Sequence, residues 1–522
     1  MKWKAAFLCF LGGVAIAQQS PITVTSKPAI KQGTSGPLRE APARANKASA
    51  RALRSEHIVK PIPHKQGEMK PGLSDKAVQK KSSLFKSPAT PQVIKEGIGA
   101  GDYAVNSAPP DTVGAPGTSQ YVQWVNTAVQ VFDKNTLAPV SPVLDGNYLW
   151  RGFGGNCELD NDGDPIVLFD RRDGGHWLLS QFSITKQPYS QCIAVSQTDD
   201  ALGKYNLYEF QFDKFNDYGK FAIWPDGYYA SFNMFDSNDV FQGSSVCAFE
   251  RDKMLKGQPA TMQCFDTPQN GGLLVADWEG NSPPPAGAPA YVFAIDVQGN
   301  PTLHLWRYSV NWSDSSKSSV TPDTPISVAP YTIACDSCVQ QPKTNTTPSP
   351  ALLDTLSDRL MFRVTYRQLP DHGSILLNHS VANQTSVAIR WYELNVASNG
   401  NMSVLQTATY APDNTNRWMG SIASDKAGDI LLGYSASSSS TSPAVRIAGR
   451  SAADPSGALS SEVTIQPGKG SQASLSRWGD YSSMQIDPTD DCSFYYTTLF
   501  LANDGSYNWH TAIAKIAYPS CS

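Results

Sequence analysis

The chain has 522 residues, 40% hydrophobic and 17% charged, enough to bury a large core and too apolar for a disordered polymer. Its formal charge of −4 hides an asymmetry, because residues 21 to 100 carry 15 Lys/Arg against 5 Asp/Glu while residues 101 to 522 carry 25 against 41. An acidic body argues against nucleic acid as a ligand. The 39 glycines and 37 prolines, with 12 Trp, 21 Tyr and 20 Phe, favour many short elements over long helices.

Lys2 and Lys4 precede an apolar run from Ala5 to Ala17, and Ala15-Ile16-Ala17 supplies the small residues a signal peptidase needs before Gln18. The run falls short of the roughly 20 residues that span a bilayer, so residues 1–17 are expected to be a secretory signal and the mature protein a secreted monomer, extracellular or periplasmic, without a transmembrane segment. Residues 18–100 are rich in Pro, Ala, Ser, Lys and Gln and nearly lack aromatics, the composition of a disordered basic leader or propeptide. The dibasic Lys80-Lys81 reads first as two solvated lysines and second as a processing site, and the leader's charge suits an acidic surface or an anionic wall polymer. Eight cysteines follow the signal, an even number that fits an exported disulfide framework. Among the 105 pairings open to eight cysteines, 247–264 and 492–521 would staple adjacent strands, and Cys335-Asp336-Ser337-Cys338 offers a redox or zinc half-site.

From residue 101 a hairpin template recurs: an apolar strand end, an Asp, a turn, and an aromatic or β-branched strand. Its aspartates are Asp170, Asp226, Asp296, Asp354, Asp425 and Asp487, with a weaker copy at Asp133. Repetition at this period marks a radial array, and the expected fold is all-β, a β-propeller over 101–522 with seven blades within a range of six to eight. Each turn Asp accepts backbone N–H groups, a structural and not a catalytic role. Two β-sandwiches would not repeat one hairpin type along the chain.

The residues before each hairpin line the channel. There Arg477-Trp478-Gly479-Asp480-Tyr481 is the densest cluster, and Arg417-Trp418 repeats its Arg-Trp. With Arg151 and Trp224, these residues supply guanidinium and indole groups suited to binding an extracellular glycan or cell-surface polymer. Asp480, Asp164 and Glu279 are the candidate acids of a glycoside hydrolase or polysaccharide lyase acting on an anionic glycan. The same Arg-Trp pairs also suit inter-blade spacers. Asp160, Asp162 and Asp164 stand at alternate positions that suit calcium, although Gly163 and the strand that follows depart from a helix-loop-helix calcium loop. Scattered histidines and the absence of His-Glu-x-x-His and Gly-x-Ser-x-Gly turn the reading away from zinc hydrolysis and serine esterases. Binding, glycan cleavage and an envelope protein-interaction scaffold remain as three readings, the last requiring an exposed apolar patch.

Tyr121-Val122-Gln123-Trp124-Val125-Asn126, Asp162-Gly163-Asp164-Pro165-Ile166-Val167 and Arg477-Trp478-Gly479-Asp480-Tyr481 together resemble a group of exported bacterial β-propeller proteins over about 101–522. More distantly the hairpins resemble sialidase-like propellers with Asp-box turns, although the strict Ser-x-Asp-x-Gly-x-x-Trp box is absent. That resemblance implies three arginines around a carboxylate, for which Arg151, Arg417 and Arg477 stand by number, and a Tyr/Glu nucleophile pair that no motif here identifies.

Overall fold

The computed structural model describes residues 22–42, 54–55, 85–103, 105 and 107–521, with scattered positions between 62 and 79. Signal residues 1–17 and Lys80-Lys81 lie outside the described residues. Seven antiparallel sheets form a seven-bladed β-propeller, and among the described residues there are only two short α-helices, Asn156–Leu159 and Arg251–Leu255. No helix among the described residues is long and apolar enough to cross a membrane.

Blade 1 is led by its inner strand Val113–Pro116, blade 2 by Gly163–Asp170, blade 3 by Phe215–Trp224 and blade 4 by Leu274–Val275. Thr365–Gln368, Asn416–Ser424 and Ser483–Ile486 lead blades 5, 6 and 7, and Asp277–Glu279 adds a parallel strand inside blade 5. Both faces of a blade are apolar, and stacking into a ring buries them. Trp124, Trp177, Trp224, Trp391, Trp418, Trp478 and Trp509 are all fully buried. Hydrogen bonds join the inner strands of different blades: Ser483 Oγ donates to the Gly114 carbonyl at 3.0 Å, Ser421 Oγ accepts from Met484 N at 3.0 Å, and Arg363 reaches the Met484 carbonyl at 2.6 Å.

The turn aspartates build turns as expected, but at unequal stations. Asp170, Asp226, Asp425 and Asp487 follow the inner strand of a blade, and Asp425 Oδ1 accepts from Ala427 N and Asp429 N. Asp133 and Asp296 close later hairpins, in blades 1 and 4. The pairing of 351–354 with 360–362 is corrected: Leu353–Asp354 joins Ser337–Val339 in a two-stranded ribbon, and the blade 5 hairpin joins Thr365–Gln368 to Gly373–Asn383. Apolar-Asp-turn is a local signal that does not tell one hairpin from another.

The leader also departs from expectation. Thr25–Pro28 pairs with Thr261–Cys264 at the rim of blade 3, Lys31–Thr34 pairs with blade 2, and Thr90–Glu96 is the outermost strand of blade 7. An edge strand is held by its main chain, so a composition poor in aromatics does not prevent it. The ring therefore closes with three C-terminal strands and one from residues 90–96, ahead of the boundary read at residue 100. Disulfides join 157–192, 247–264, 335–338 and 492–521, including both expected staples. The Cys335-Cys338 pair is thus a disulfide rather than a zinc half-site.

Candidate functional site: a charged chamber at the channel mouth

The inner strands begin with an uncommon backbone. Asp111, Asp164, Tyr218, Gly272, Met419 and Gly479 all have left-handed φ, from 48° to 62°, where the inner strands of blades 1, 2, 3, 4, 6 and 7 begin. For Tyr218 and Met419 this costs about 1 kcal/mol or more each, which the surrounding ring must hold in place. In blades 2, 3 and 6 it coincides with a β-bulge. Asp217 pairs with Asn233 and Lys220 with Ser231, so two residues on the inner strand, Tyr218 and Gly219, oppose one on its partner, Phe232. A regular strand would send residues three apart to opposite faces; the extra residue turns Asp217 and Lys220 to the same one.

There Lys220 is fully buried, 3.8 Å from Asp164 Oδ2, with its Nζ 3.8 and 3.9 Å from the ring centres of Tyr218 and Tyr481. Arg359 lies over the Tyr218 ring at 4.6 Å and is held by Asp358 through Nε–Oδ1 at 2.7 Å and Nη2–Oδ2 at 3.1 Å. Tyr218 donates to the Asp480 carbonyl at 3.4 Å, Asp111 accepts the Asp480 N–H at 2.7 Å, and Arg477 donates from Nε to Asp480 Oδ1 at 3.1 Å. Only glycine fits at 272, where an added Cβ would stand 2.3 Å from Arg359 Cβ. Asp164, Asp217 and Asp480 each keep one carboxylate oxygen that has no hydrogen-bond partner among the described residues, that of Asp164 being the one that faces Lys220.

Burial sets the electrostatics. It raises the Asp164 carboxyl against the pull of Lys220, with Asp480 adding to the rise. Asp217 is pushed up to about 7, first by burial and then by the Asp164 charge. Burial lowers Lys220, and Asp164, Asp111, Asp480 and Asp217 oppose that fall. Asp354, half-buried nearby, rises to about 6, mainly through desolvation. Carboxyls near neutrality beside carboxylates and a cation make a chamber able to accept hydrogen bonds and exchange a proton.

Of the sequence candidates, the structure brings together Asp480, Asp164, Arg477 and Tyr481. Glu279 is elsewhere, in a second buried cluster where the inner strands end: Arg363 meets Asp277 at 2.6 Å and Glu279 at 2.7 Å, and Arg367 meets Asp491 at 2.9 Å. Arg417 is spent on Glu462 at 2.7 Å and on Asp413 at 2.9 Å. Trp418 and Trp478 are buried against each other at 6.2 Å, and Trp224 packs on Tyr366 at 5.1 Å, so these indoles are internal and offer no face to a sugar. Arg151 is exposed beside Tyr148, so the three arginines stand at separate stations. The calcium set also separates: Asp160 accepts from Ser183, Asp162 from Ile184 N and Thr185, and Asp164 faces Lys220. Among the described residues no group of three or more His, Cys, Asp or Glu is placed to hold a metal ion. Sequence reasoning missed Asp217, Tyr218, Lys220 and Arg359.

No family model and no curated protein matches the chain. Among solved structures it is similar to an apocarotenoid oxygenase from Synechocystis, 10% identical over 68% of this chain and 74% of that one, with a TM-score of 0.34. A protein of unknown function from Dyadobacter fermentans is 10% identical over 84% of this chain and 99% of that one, TM-score 0.32. A GH43 β-1,3-galactosidase with galactodeoxynojirimycin is 10% identical over 59% of this chain and 98% of that one, TM-score 0.28.

Proposed function

We propose that this protein is a secreted β-propeller that binds an extracellular glycan or cell-surface polymer at the mouth of its central channel. One observation carries the reading: among the described residues the buried Asp217 and Asp480 each hold a carboxylate oxygen without a hydrogen-bond donor, and the matching oxygen of Asp164 has only the Lys220 ammonium, 3.8 Å away. A buried acceptor left unpaired costs about 1–3 kcal/mol, and a ligand rich in hydroxyl groups supplies the missing donors. Lys220 and Arg359 add cations for an anionic sugar. Four disulfides suit an oxidising compartment.

The Asp217 carboxyl favours a second reading, glycan cleavage. An acid protonated near neutrality beside the ionisable Asp164 and Asp480 is the pairing that glycoside hydrolysis uses, with one carboxyl giving a proton and another acting as base or nucleophile. Among the described residues the scaffold reading finds no apolar patch, because the large exposed apolar side chains, among them Ile94, Val140, Leu159 and Val240, are scattered over different blades. Incubating the protein with neutral, uronic and sialylated polysaccharides and weighing the products by mass spectrometry separates the readings. Retention of intact polymer, lost in Asp164→Asn, establishes binding. New oligosaccharides that disappear in Asp217→Asn and Asp480→Asn establish an enzyme, and neither result for any polymer overturns both.

A further inference from the structure

Residues of the leader sit on the rim of this same chamber. Ile62 is 1% exposed and rests on the backbone of Gly271 and Gly272, where a Cβ at Gly271 would meet Ile62 Cγ2 at 2.6 Å. Its N–H donates to Asp358 Oδ2 at 3.1 Å, the carboxylate that holds Arg359 over Tyr218. His64 meets the Ile62 carbonyl at 2.6 Å and Asp336 at 3.0 Å, and Asp336 keeps it protonated up to about 9. Lys65 N donates to the Val297 carbonyl at 2.9 Å, and Gln298 reaches the Pro63 carbonyl at 3.2 Å.

A second anchor is on the other side. Arg54 and Ser55 pair in parallel with Ser107 and Ala108, just ahead of Asp111, whose carboxylate takes the Asp480 N–H. That anchor leads into blade 1, whereas Ile62 sits between the starts of blades 4 and 5, and in a ring of seven these stations face each other across the channel. The chain is therefore pinned on both sides of the mouth. Ile62 rests on Gly271 and Gly272 with one buried hydrogen bond to Asp358, His64 adds its pair to Asp336, and Pro63 and Lys65 are exposed; none of these contacts is a strand pairing of a blade, so this segment can leave without opening one.

We propose that Ile62 to Lys65 form a tethered plug over the Asp164, Asp217, Asp480 and Lys220 chamber, and that a ligand enters only when the plug is displaced. The inference rests on reading that chamber as the ligand site.

The test uses the full chain and does not need the ligand. Lysines are acetylated with acetic anhydride and mapped by mass spectrometry, with the half-exposed Lys27 as reference. Lys220 should be protected in the wild type and react at least about tenfold faster in Ile62→Asp, at an unchanged unfolding midpoint. Equal protection in a folded Ile62→Asp chain overturns the plug. If that variant does not fold, the wild type decides: hydrogen exchange at the Ile62 amide and acetylation of Lys220 should report one common opening rate, faster than exchange in the blades. Exchange at Ile62 only through global unfolding overturns the proposal. An opened Lys220 with no polysaccharide bound keeps the plug and removes the glycan reading; equal binding by wild type and Ile62→Asp removes the plug and keeps the glycan.

Discussion

Asp217→Asn should make the protein more stable at alkaline pH while abolishing its action on a ligand. The fold raises this carboxyl from 3.8 to about 7, with burial the main cause and the Asp164 charge the second. An acid whose folded value lies above its unfolded one binds protons more tightly in the native state. Stability is therefore fully present below about pH 4 and is lost as pH rises toward 7, and a shift of this size corresponds to about 4 kcal/mol. Asparagine cannot ionise, so the variant escapes the loss. Because Asp164 shares the strain, the expected gain is about 2–4 kcal/mol near pH 8 and close to zero near pH 4. Urea unfolding followed by tryptophan fluorescence at both pH values measures it. A variant less stable than wild type near pH 8, or a difference that does not change with pH, would refute the electrostatic account. A residue retained at such a cost to stability marks function rather than folding.

Three further outcomes follow from the same contacts. Lys220→Met removes the buried cation 3.8 Å from Asp164 and should cost about 3–5 kcal/mol near pH 8, shrinking toward pH 4 as the carboxyls protonate; the same urea titration reads it, and a penalty below about 1 kcal/mol contradicts the pairing. Arg417→Met breaks the pairs to Glu462 and Asp413 and should lower stability by a similar amount, about 3–5 kcal/mol, while leaving the acetylation of Lys220 and any polysaccharide retention unchanged. A chain beginning at residue 101 lacks the outermost strand of blade 7 and should unfold at a lower temperature than one beginning at residue 87, as calorimetry will show; equal midpoints would mean that Thr90–Glu96 does not close the ring.

The ring itself was legible because its signal is redundant. Seven apolar-Asp-turn strings announced a radial array even though Asp133 and Asp296 close later hairpins and Asp354 sits in a ribbon. The number of blades survived these misplacements because each blade contributes one such string near its own sector. The strands at 25–28, 31–34 and 90–96 gave no such signal, since their energy comes from backbone pairing with partners more than 170 residues away, and composition is blind to it. Arg417 and the indoles of Trp418 and Trp478 were read for chemistry that their neighbours already absorb: the same residue types serve as spacers between blades, and only contacts with Glu462, Asp413 and Ser435 tell the roles apart.

The chamber was legible where charge stood next to glycine, and hidden where it depended on backbone handedness. Asp164 and Asp480 follow Gly163 and Gly479, and those pairs drew the eye to the channel. Asp217-Tyr218-Gly219-Lys220 reads as ordinary strand, in which period two would send Asp217 and Lys220 to opposite faces and break any ionic site between them. Tyr218 at φ 55° inserts the extra residue that reverses that parity. The positive-φ positions of the first four blades, Asp111, Asp164, Tyr218 and Gly272, are spaced by 53, 54 and 54 residues, a more even repeat than the aspartate turns give, but only one of the four is glycine. A sequence reader expects glycine at positive φ, so the strain that gathers the chamber is written in residues that do not announce it. The same bulge that costs backbone energy at Tyr218 sets its ring against both Lys220 and Arg359, so the strained turn and the two cations form one unit at the channel mouth.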